Sequence, residues 1–233
     1  MVSGCNWRVR EVMRIGVIAE GATDPPVVKK LINKVIVEFL GLDWPAHFED
    51  LKEFPIRKTG FGGVVAKLKA LIYFLNEACD PSEPPIDEPY YQDLYCVFID
   101  NGCGRKANNE AILEISELIR RNPCICFVLG IPKEELEAWI IADSSNVLPY
   151  LGYREYVSFE ITRPEDEVDP KKILASWIRE AREYVYNDWD SNSAEDIVDV
   201  LDVRVIDNKC IISFRPWKNE LVKVILRKAG RLV

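Results

Sequence analysis

The chain has 233 residues, of which 48% are hydrophobic and 29% charged, and its formal net charge is −8. This composition can bury a sizeable core, which excludes a disordered chain, and the length fits one large domain or one domain with an extension. The negative charge argues against a simple basic nucleic-acid binder. It is compatible with an enzyme that meets phosphates through a bound cation.

The cellular location is predicted from what the sequence lacks. No apolar run reaches the ~18 residues that span a bilayer, and the N-terminus has no apolar stretch followed by a signal-peptide cleavage site. The seven cysteines include no C-x-x-C pair, so buried reduced thiols are favoured over zinc ligands or disulfides. We therefore expect a cytoplasmic protein without a membrane partner.

A loose leader over residues 1–12 precedes the first predicted element. The short apolar run at 14–19 predicts a buried strand by its length and content. A helix should follow over residues 25–40, because two prolines suit a first helical turn and apolar residues then recur at helical spacing. Either Thr23 or Asp24 would be its N-cap.

The central part of the chain alternates between strand and helix patterns. In chain order, the sequence predicts a short strand (54–57), a helix (64–78), a proline-stiffened linker (80–89), a strand (94–99), a helix (108–120), a strand (124–130) and a helix (132–143). Strands that alternate with helices imply a parallel sheet with right-handed crossovers. The sequence therefore predicts an α/β core over residues 13–145.

The last third of the chain has a different pattern. Residues 170–186 and 217–228 have helical spacing, while residues 203–212 fit either a pair of strands or a short helix. We expect residues 146–233 to form a mostly helical C-terminal extension that packs on the core.

Acidic residues follow three of the predicted strands. Glu20 and Asp100 end two strands, Glu134 and Glu137 come just past the third, and Asp24 lies four residues after Glu20. Ligand sites in open α/β sheets lie beyond the carboxyl ends of the strands, so these side chains should face one crevice. Clustered carboxylates suit Mg²⁺ or Mn²⁺. Each acid has an alternative role at a turn, a helix N-terminus or a solvated face.

The three glutamates after the third strand differ in their expected directions. Glu134 and Glu137 are three residues apart and should share one face of the predicted helix. Trp139 should point into the core, and Glu135 lies four residues before it on the same side. Glu135 is therefore the poorest ligand candidate of the three.

Two pairs of cations are candidates for contacts with phosphate. Arg57 and Lys58 precede the glycine-rich segment 60–63, whose backbone N–H groups could also bind an anion before a helix. Arg105 and Lys106 follow the second acid-ended strand. A tight loop and solvated surface charge are the alternative interpretations. The G-K-[ST] sequence of a P-loop is absent, which argues against a nucleotide triphosphatase.

Three segments resemble motifs of the Toprim-like family. Residues 20–24 (E-G-A-T-D) are similar to the E-G-x-x-D/E motif that opens a Toprim domain, and the strand that ends at Asp100 resembles the strand that carries its D-x-D motif. Residues 132–139 (P-K-E-E-L-E-A-W) resemble the P-x-x-x-x-E-A-W segment of small stand-alone Toprim-like proteins. Those proteins are similar to the Toprim half of OLD-family nucleases. Residues 169–172 (D-P-K-K) and the pattern of Cys210, Ser213 and Phe214 before a helix also resemble the C-terminal part of that group. The resemblance thus runs from about residue 13 to residue 228.

The resemblance implies a Toprim-like, Rossmann-like fold and metal-dependent phosphoryl transfer on nucleic acid. It assigns Glu20 to metal binding or acid/base chemistry, Asp100 to the first acid of D-x-D, and Asp24 and Glu137 to a second metal. The second D-x-D position is Gly102, which carries no carboxylate.

Three hypotheses therefore stand. The first is a Mg²⁺- or Mn²⁺-dependent nuclease or a related phosphoryl-transfer enzyme. The second is a non-catalytic Toprim-like module that binds a partner protein or nucleic acid in a defence or mobile-element system. The third is a phosphatase with Asp100 as its nucleophile, which also lacks an acid two residues further on.

Overall fold

The computed structural model of the protein describes residues 12–21, 24–42, 46–50, 60–78, 91–102, 106–153, 160–181 and 191–230. The expected leader, apart from Val12, lies outside these residues. So do the strand expected at 54–57 and the linker expected at 80–89.

Within the described residues, four parallel strands form one sheet in the order β2-β1-β3-β4. The strands are β1 (Met13–Ile18), β2 (Ala46–Asp50), β3 (Leu94–Phe98) and β4 (Phe127–Gly130). The expected α/β class, with a parallel sheet flanked by helices, is confirmed. Strand β2 was not predicted, because its sequence A-H-F-E-D has only two apolar residues and lacks the apolar run of the other three.

Helices account for most of the remaining described chain. They are α1 (Asp24–Leu40), α2 (Gly60–Ala78), α3 (Lys106–Arg121), α4 (Glu137–Ile141), α5 (Ser144–Tyr150), α6 (Pro170–Glu180), α7 (Ser191–Val200), α8 (Val203–Lys209) and α9 (Phe214–Lys228). A short 3₁₀ turn, Pro164–Asp166, precedes α6. Because residues 203–209 form helix α8, the short helix is the correct one of the two alternatives for residues 203–212. In the described residues, no helix has the length and apolar content needed to cross a membrane.

The helix expected at 132–143 is wrong at its start. Residues 133–136 form turns, and α4 begins only at Glu137. The carbonyl oxygens of Pro132 and Glu134 accept hydrogen bonds of 3.0 Å from backbone N–H groups of the loop after β3. These carbonyls are therefore engaged outside any helix, and Glu134 does not share a helix face with Glu137.

Strands β1, β3 and β4 contribute residues to an apolar cluster on each face of the sheet, because alternate residues of a strand point to opposite sides. One face packs on α1 and on the helices from α4 to α9, through an apolar cluster that includes Ile15, Val17, Cys96 and Phe98. The other face packs on α2 and α3, through a second cluster that includes Ile18, Tyr95 and Val97. The boundary expected after residue 145 falls inside α5, and the first cluster continues across it.

An aromatic group joins the sheet to the C-terminal helices. The indole of Trp139 is fully buried, as expected, and its ring centroid lies 5.1 to 5.9 Å from those of Phe98, Phe214 and Trp217. A β-carbon at Gly130 would collide with the Phe98 ring, so only glycine fits beside it on β4. Of the four cysteines that the structure describes, Cys96 and Cys210 are buried and Cys124 is exposed.

The order of the strands creates a switch point at the middle of the sheet. Strand β1 connects to β2 through α1 on one face, whereas β3 connects to β4 through α3 on the other face. The chain therefore leaves the adjacent strands β1 and β3 in opposite directions. A crevice opens beyond their carboxyl ends, which is where open α/β sheets bind ligands.

Candidate functional site

Glu20 and Asp100 meet in the crevice at the switch point. Each follows its strand by two residues, and both line the crevice together with Asp24, Phe98, Ile99 and Leu136. The backbone N–H of Asp100 acts on the Glu20 carboxylate and lowers its pKa, against the larger effect of burial. The two acids thus share one crevice at the carboxyl edge of the parallel sheet, as the strand pattern predicted.

Asp24 is held toward the crevice by the turn between β1 and α1. Its Oδ2 accepts a hydrogen bond of 2.6 Å from the backbone N–H of Gly21. A β-carbon at Gly21 would lie 3.0 Å from both carboxylate oxygens of Asp24, tighter than ordinary packing. The glycine of the E-G-x-x-D sequence therefore allows the carboxylate of Asp24 to fold back over the turn.

The carboxyl groups in the crevice are difficult to ionise together. Burial raises the pKa of Asp100 to about 9, and the negative charges of Asp24, Glu137, Glu20 and Glu135 add to the effect. Burial also raises the pKa of Glu20 to about 7, with Asp24 as the next contribution. A bound cation or a retained proton is the usual way to relieve such a cluster.

Glu137 joins the cluster from the first turn of α4. Its side chain is buried, with only 5% of the residue exposed, and burial raises its pKa. Lys171 in the first turn of α6 opposes that shift, because its Nζ lies 3.7 Å from Oε1 of Glu137. Lys171 lies in the D-P-K-K segment of the resemblance, but the sequence predicted no place for it in the crevice, because only the packing of α6 against α4 brings it there.

Glu135, expected to be the poorest ligand candidate of the three glutamates, contacts the first turn of α6 beside the crevice. The Oε2 of Glu135 accepts a hydrogen bond of 3.1 Å from the backbone N–H of Lys171, and its charge raises the pKa values of Asp100 and Glu20. The charge of Glu134 acts instead on Lys133. The shared helix face expected for Glu134 and Glu137 is wrong because residues 133–136 form turns, while the metal ligation expected of both residues stays a prediction.

The position of the missing acid has no room for a side chain. Gly102 has a φ of +53°, and a β-carbon there would collide with Nδ2 of Asn108. That same nitrogen donates a hydrogen bond of 3.1 Å to the carbonyl oxygen of Asp100. The loop therefore orients Asp100 through Asn108 and excludes a second D-x-D acid by its shape.

The donor chemistry of the crevice fits a hard divalent cation, since its side-chain ligands are carboxylate oxygens. The Oε2 atom of Glu20 is buried without a hydrogen-bond partner, which leaves it free to coordinate. However, no three or more His, Cys, Asp or Glu side chains in the described residues are arranged so that they could hold a metal ion. The carboxylates would have to draw closer together around one.

The structure does not describe the side chains expected to contact phosphate. Arg57, Lys58 and Arg105 lie outside the described residues. Lys106 begins α3, but only its backbone is described. The expected phosphate contacts therefore stay predictions.

The fold by itself assigns no activity, because parallel α/β sheets of this kind support many unrelated chemistries. What is specific to this chain is the set of acids at the switch point. No protein-family model, no curated protein and no solved structure matches the chain.

Proposed function

We propose that the protein is a cytoplasmic, Toprim-like enzyme that uses Mg²⁺ or Mn²⁺ for phosphoryl transfer on nucleic acid, most simply as a nuclease. The observation that carries the proposal is the meeting of Glu20, Asp24, Asp100 and Glu137 around one crevice at the switch point. Carboxylates buried together are costly as anions, and a divalent cation would stabilise them. The motif resemblance supplies the substrate class.

Each acid has a distinct part in this proposal. Glu20, Asp100 and Glu137 supply oxygen ligands, with Asp24 beside them. A divalent ion bound there would orient a phosphodiester, activate a water and stabilise the leaving oxygen. The resemblance leaves acid/base chemistry as the alternative role of Glu20, and burial, with Asp24 next, raises the pKa of this carboxyl to about 7 in the metal-free site.

A second candidate is a non-catalytic Toprim-like module that binds a partner protein or nucleic acid. The observation in its favour is Gly102, whose left-handed backbone and contact with Asn108 leave no place for the second D-x-D acid. In this candidate the remaining acids shape a recognition surface. The two candidates differ in whether a divalent cation changes the behaviour of the protein.

The proposal predicts that millimolar Mg²⁺ or Mn²⁺ raises the melting temperature and supports cleavage of single- or double-stranded DNA or RNA. Binding to the folded state alone stabilises it by about 2.7 kcal/mol at a hundredfold excess over Kd. Glu20→Gln and Glu137→Gln should remove most of that shift and reduce cleavage by about a hundredfold or more. Calorimetry and a nuclease assay measure the two effects.

Glu160→Gln is the matched control, because it removes one carboxylate whose side chain is 65% exposed and whose ion-pair partner is Lys209. It should behave as the wild type. An unchanged melting curve together with no cleavage would favour the non-catalytic module. Cleavage that survives Glu137→Gln would remove Glu137 from the site while leaving Glu20 and Asp100 in place.

A further inference from the structure

Lys171 contacts the acidic crevice with both its backbone and its side chain. Its N–H donates to Oε2 of Glu135 at 3.1 Å, and its Nζ lies 3.7 Å from Oε1 of the buried Glu137. Its charge also acts on Asp24 and Asp100. One ammonium group is thus placed among the same carboxylates that the proposed function assigns to a divalent cation.

The start of α6 fixes the backbone of Lys171 but leaves its side chain an exit. Asp169 caps the helix by accepting a hydrogen bond of 3.0 Å from the backbone N–H of Lys172, and Pro170 occupies the first turn. Leu174 and Trp177 then bury the helix in the core. The side chain of Lys171 is nevertheless 55% exposed, so the ammonium can leave the crevice without disturbing α6.

We propose that Lys171 is the built-in counter-ion of the crevice, and that it competes with the divalent cation and sets the affinity for it. This inference rests on the proposed function. An ammonium among carboxylates neutralises part of their charge, and it repels a second cation at the same place. In the described residues no set of acids is arranged to hold a metal ion, and the ammonium of Lys171 lies beside Glu137 in its place.

The competition predicts tighter metal binding when the ammonium is removed. Titration calorimetry of the full chain with MnCl₂ should give Lys171→Met a Kd about tenfold lower than that of the wild type, as expected for loss of one solvent-screened unit charge about 6 Å from a divalent cation. Lys171→Gln, a neutral variant of similar length, should show the same gain. Lys171→Arg keeps the charge and should keep the wild-type Kd.

Lys172→Met is the matched control, because it removes the same unit charge from the next residue of α6. The side chain of Lys172 is 84% exposed and pairs with Asp169 rather than with the crevice. Its Kd should stay within roughly twofold of the wild-type value. Circular dichroism without metal verifies that each variant is folded.

The outcomes separate this inference from the function on which it rests. If every variant binds Mn²⁺ with the wild-type Kd, Lys171 does not compete, although the metal site stands. Weaker binding by Lys171→Met and Lys171→Gln would instead make Lys171 a positioning residue for Glu135 and Glu137, which also overturns the competition. If neither the wild type nor any variant binds Mn²⁺, both proposals fail.

Discussion

The backbone of Gly102 adopts a φ of +53°, in the left-handed region that residues with a β-carbon rarely enter. The space beside it is filled by the amide of Asn108, a fully buried side chain that holds the carbonyl oxygen of Asp100. An acid at this position would therefore disturb the residue that precedes it by two. The side chain of Asn108 holds the backbone at Asp100 and occupies the space that a second carboxylate would need.

Gly102→Asp should consequently destabilise the fold by about 1–3 kcal/mol and should not create activity, because the new side chain meets both backbone strain and Asn108. Urea unfolding measures the loss. Gly62→Ala is the control, since a methyl group on this exposed glycine of α2 would meet no described atom within 4 Å and should be neutral or stabilising by about 0.5–1 kcal/mol. A Gly102→Asp protein as stable as the wild type would mean that the loop can accept the acid.

Helices α4 and α9 are linked by a buried chain of hydrogen bonds. Nε1 of Trp139 donates to Oγ of Ser213 at 2.7 Å, and that hydroxyl donates to Oε1 of Glu165 at 2.5 Å. The Glu165 carboxylate also accepts from the backbone N–H groups of Ile212 and Ser213, at 2.9 and 2.7 Å. Glu165 of the 3₁₀ turn thereby pairs with the backbone N–H groups at the start of α9. Through Ser213 and Trp139 it also holds α4, which carries Glu137.

Glu165→Ala should destabilise the protein by about 3 kcal/mol, because it leaves several buried donors without a partner. Ser213→Ala should cost about 1–3 kcal/mol, since it leaves the indole N–H of Trp139 unpaired. Ser116→Ala is the control, because that exposed hydroxyl donates only to a carbonyl of its own helix and should matter by less than about 0.5 kcal/mol. Chemical denaturation would refute the link if Glu165→Ala lost less than about 1 kcal/mol.

The strands that could be predicted from the sequence are those whose burial requires a run of apolar residues. Strands β1, β3 and β4 are buried on both faces and therefore carry apolar runs. Strand β2 carries no such run, and its place depends on pairing with β1. Helix α7 was missed although Ala194, Ile197 and Val198 recur at helical spacing and are buried. That signal was present in the sequence.

The candidate site could be predicted only for the residues that directly follow a strand in the sequence. Glu20 and Asp100 directly follow adjacent strands, so the rule for carboxyl ends of parallel strands brings them together. Glu135 and Lys171 join the crevice through the turns before α4 and the packing of α6 on α4. Both residues lie in segments that carry the resemblance, but their meeting at the crevice was not predictable, because it depends on a contact between segments 36 residues apart.

At the scale of the whole molecule, the crevice makes stability depend on pH. Burial raises the pKa of Asp100 from 3.8 to about 9, with Asp24 next, and that of Glu20 from 4.5 to about 7. Between about pH 4 and pH 9 the folded state therefore holds protons that the unfolded state has released. Because the unfolded state binds fewer protons in this window, the free energy of unfolding falls as the pH rises.

In buffer without divalent cations, the free energy of unfolding should thus decrease from about pH 5 to about pH 9, with Asp100 contributing at most about 1.4 kcal/mol per pH unit. Asp100→Asn should flatten this slope, because an amide resembles the protonated acid and does not titrate. Glu160→Gln, which removes an exposed carboxylate, should keep the wild-type slope. Urea unfolding across this range would contradict the shared burial of these acids if stability rose with pH, or if Asp100→Asn kept the wild-type slope.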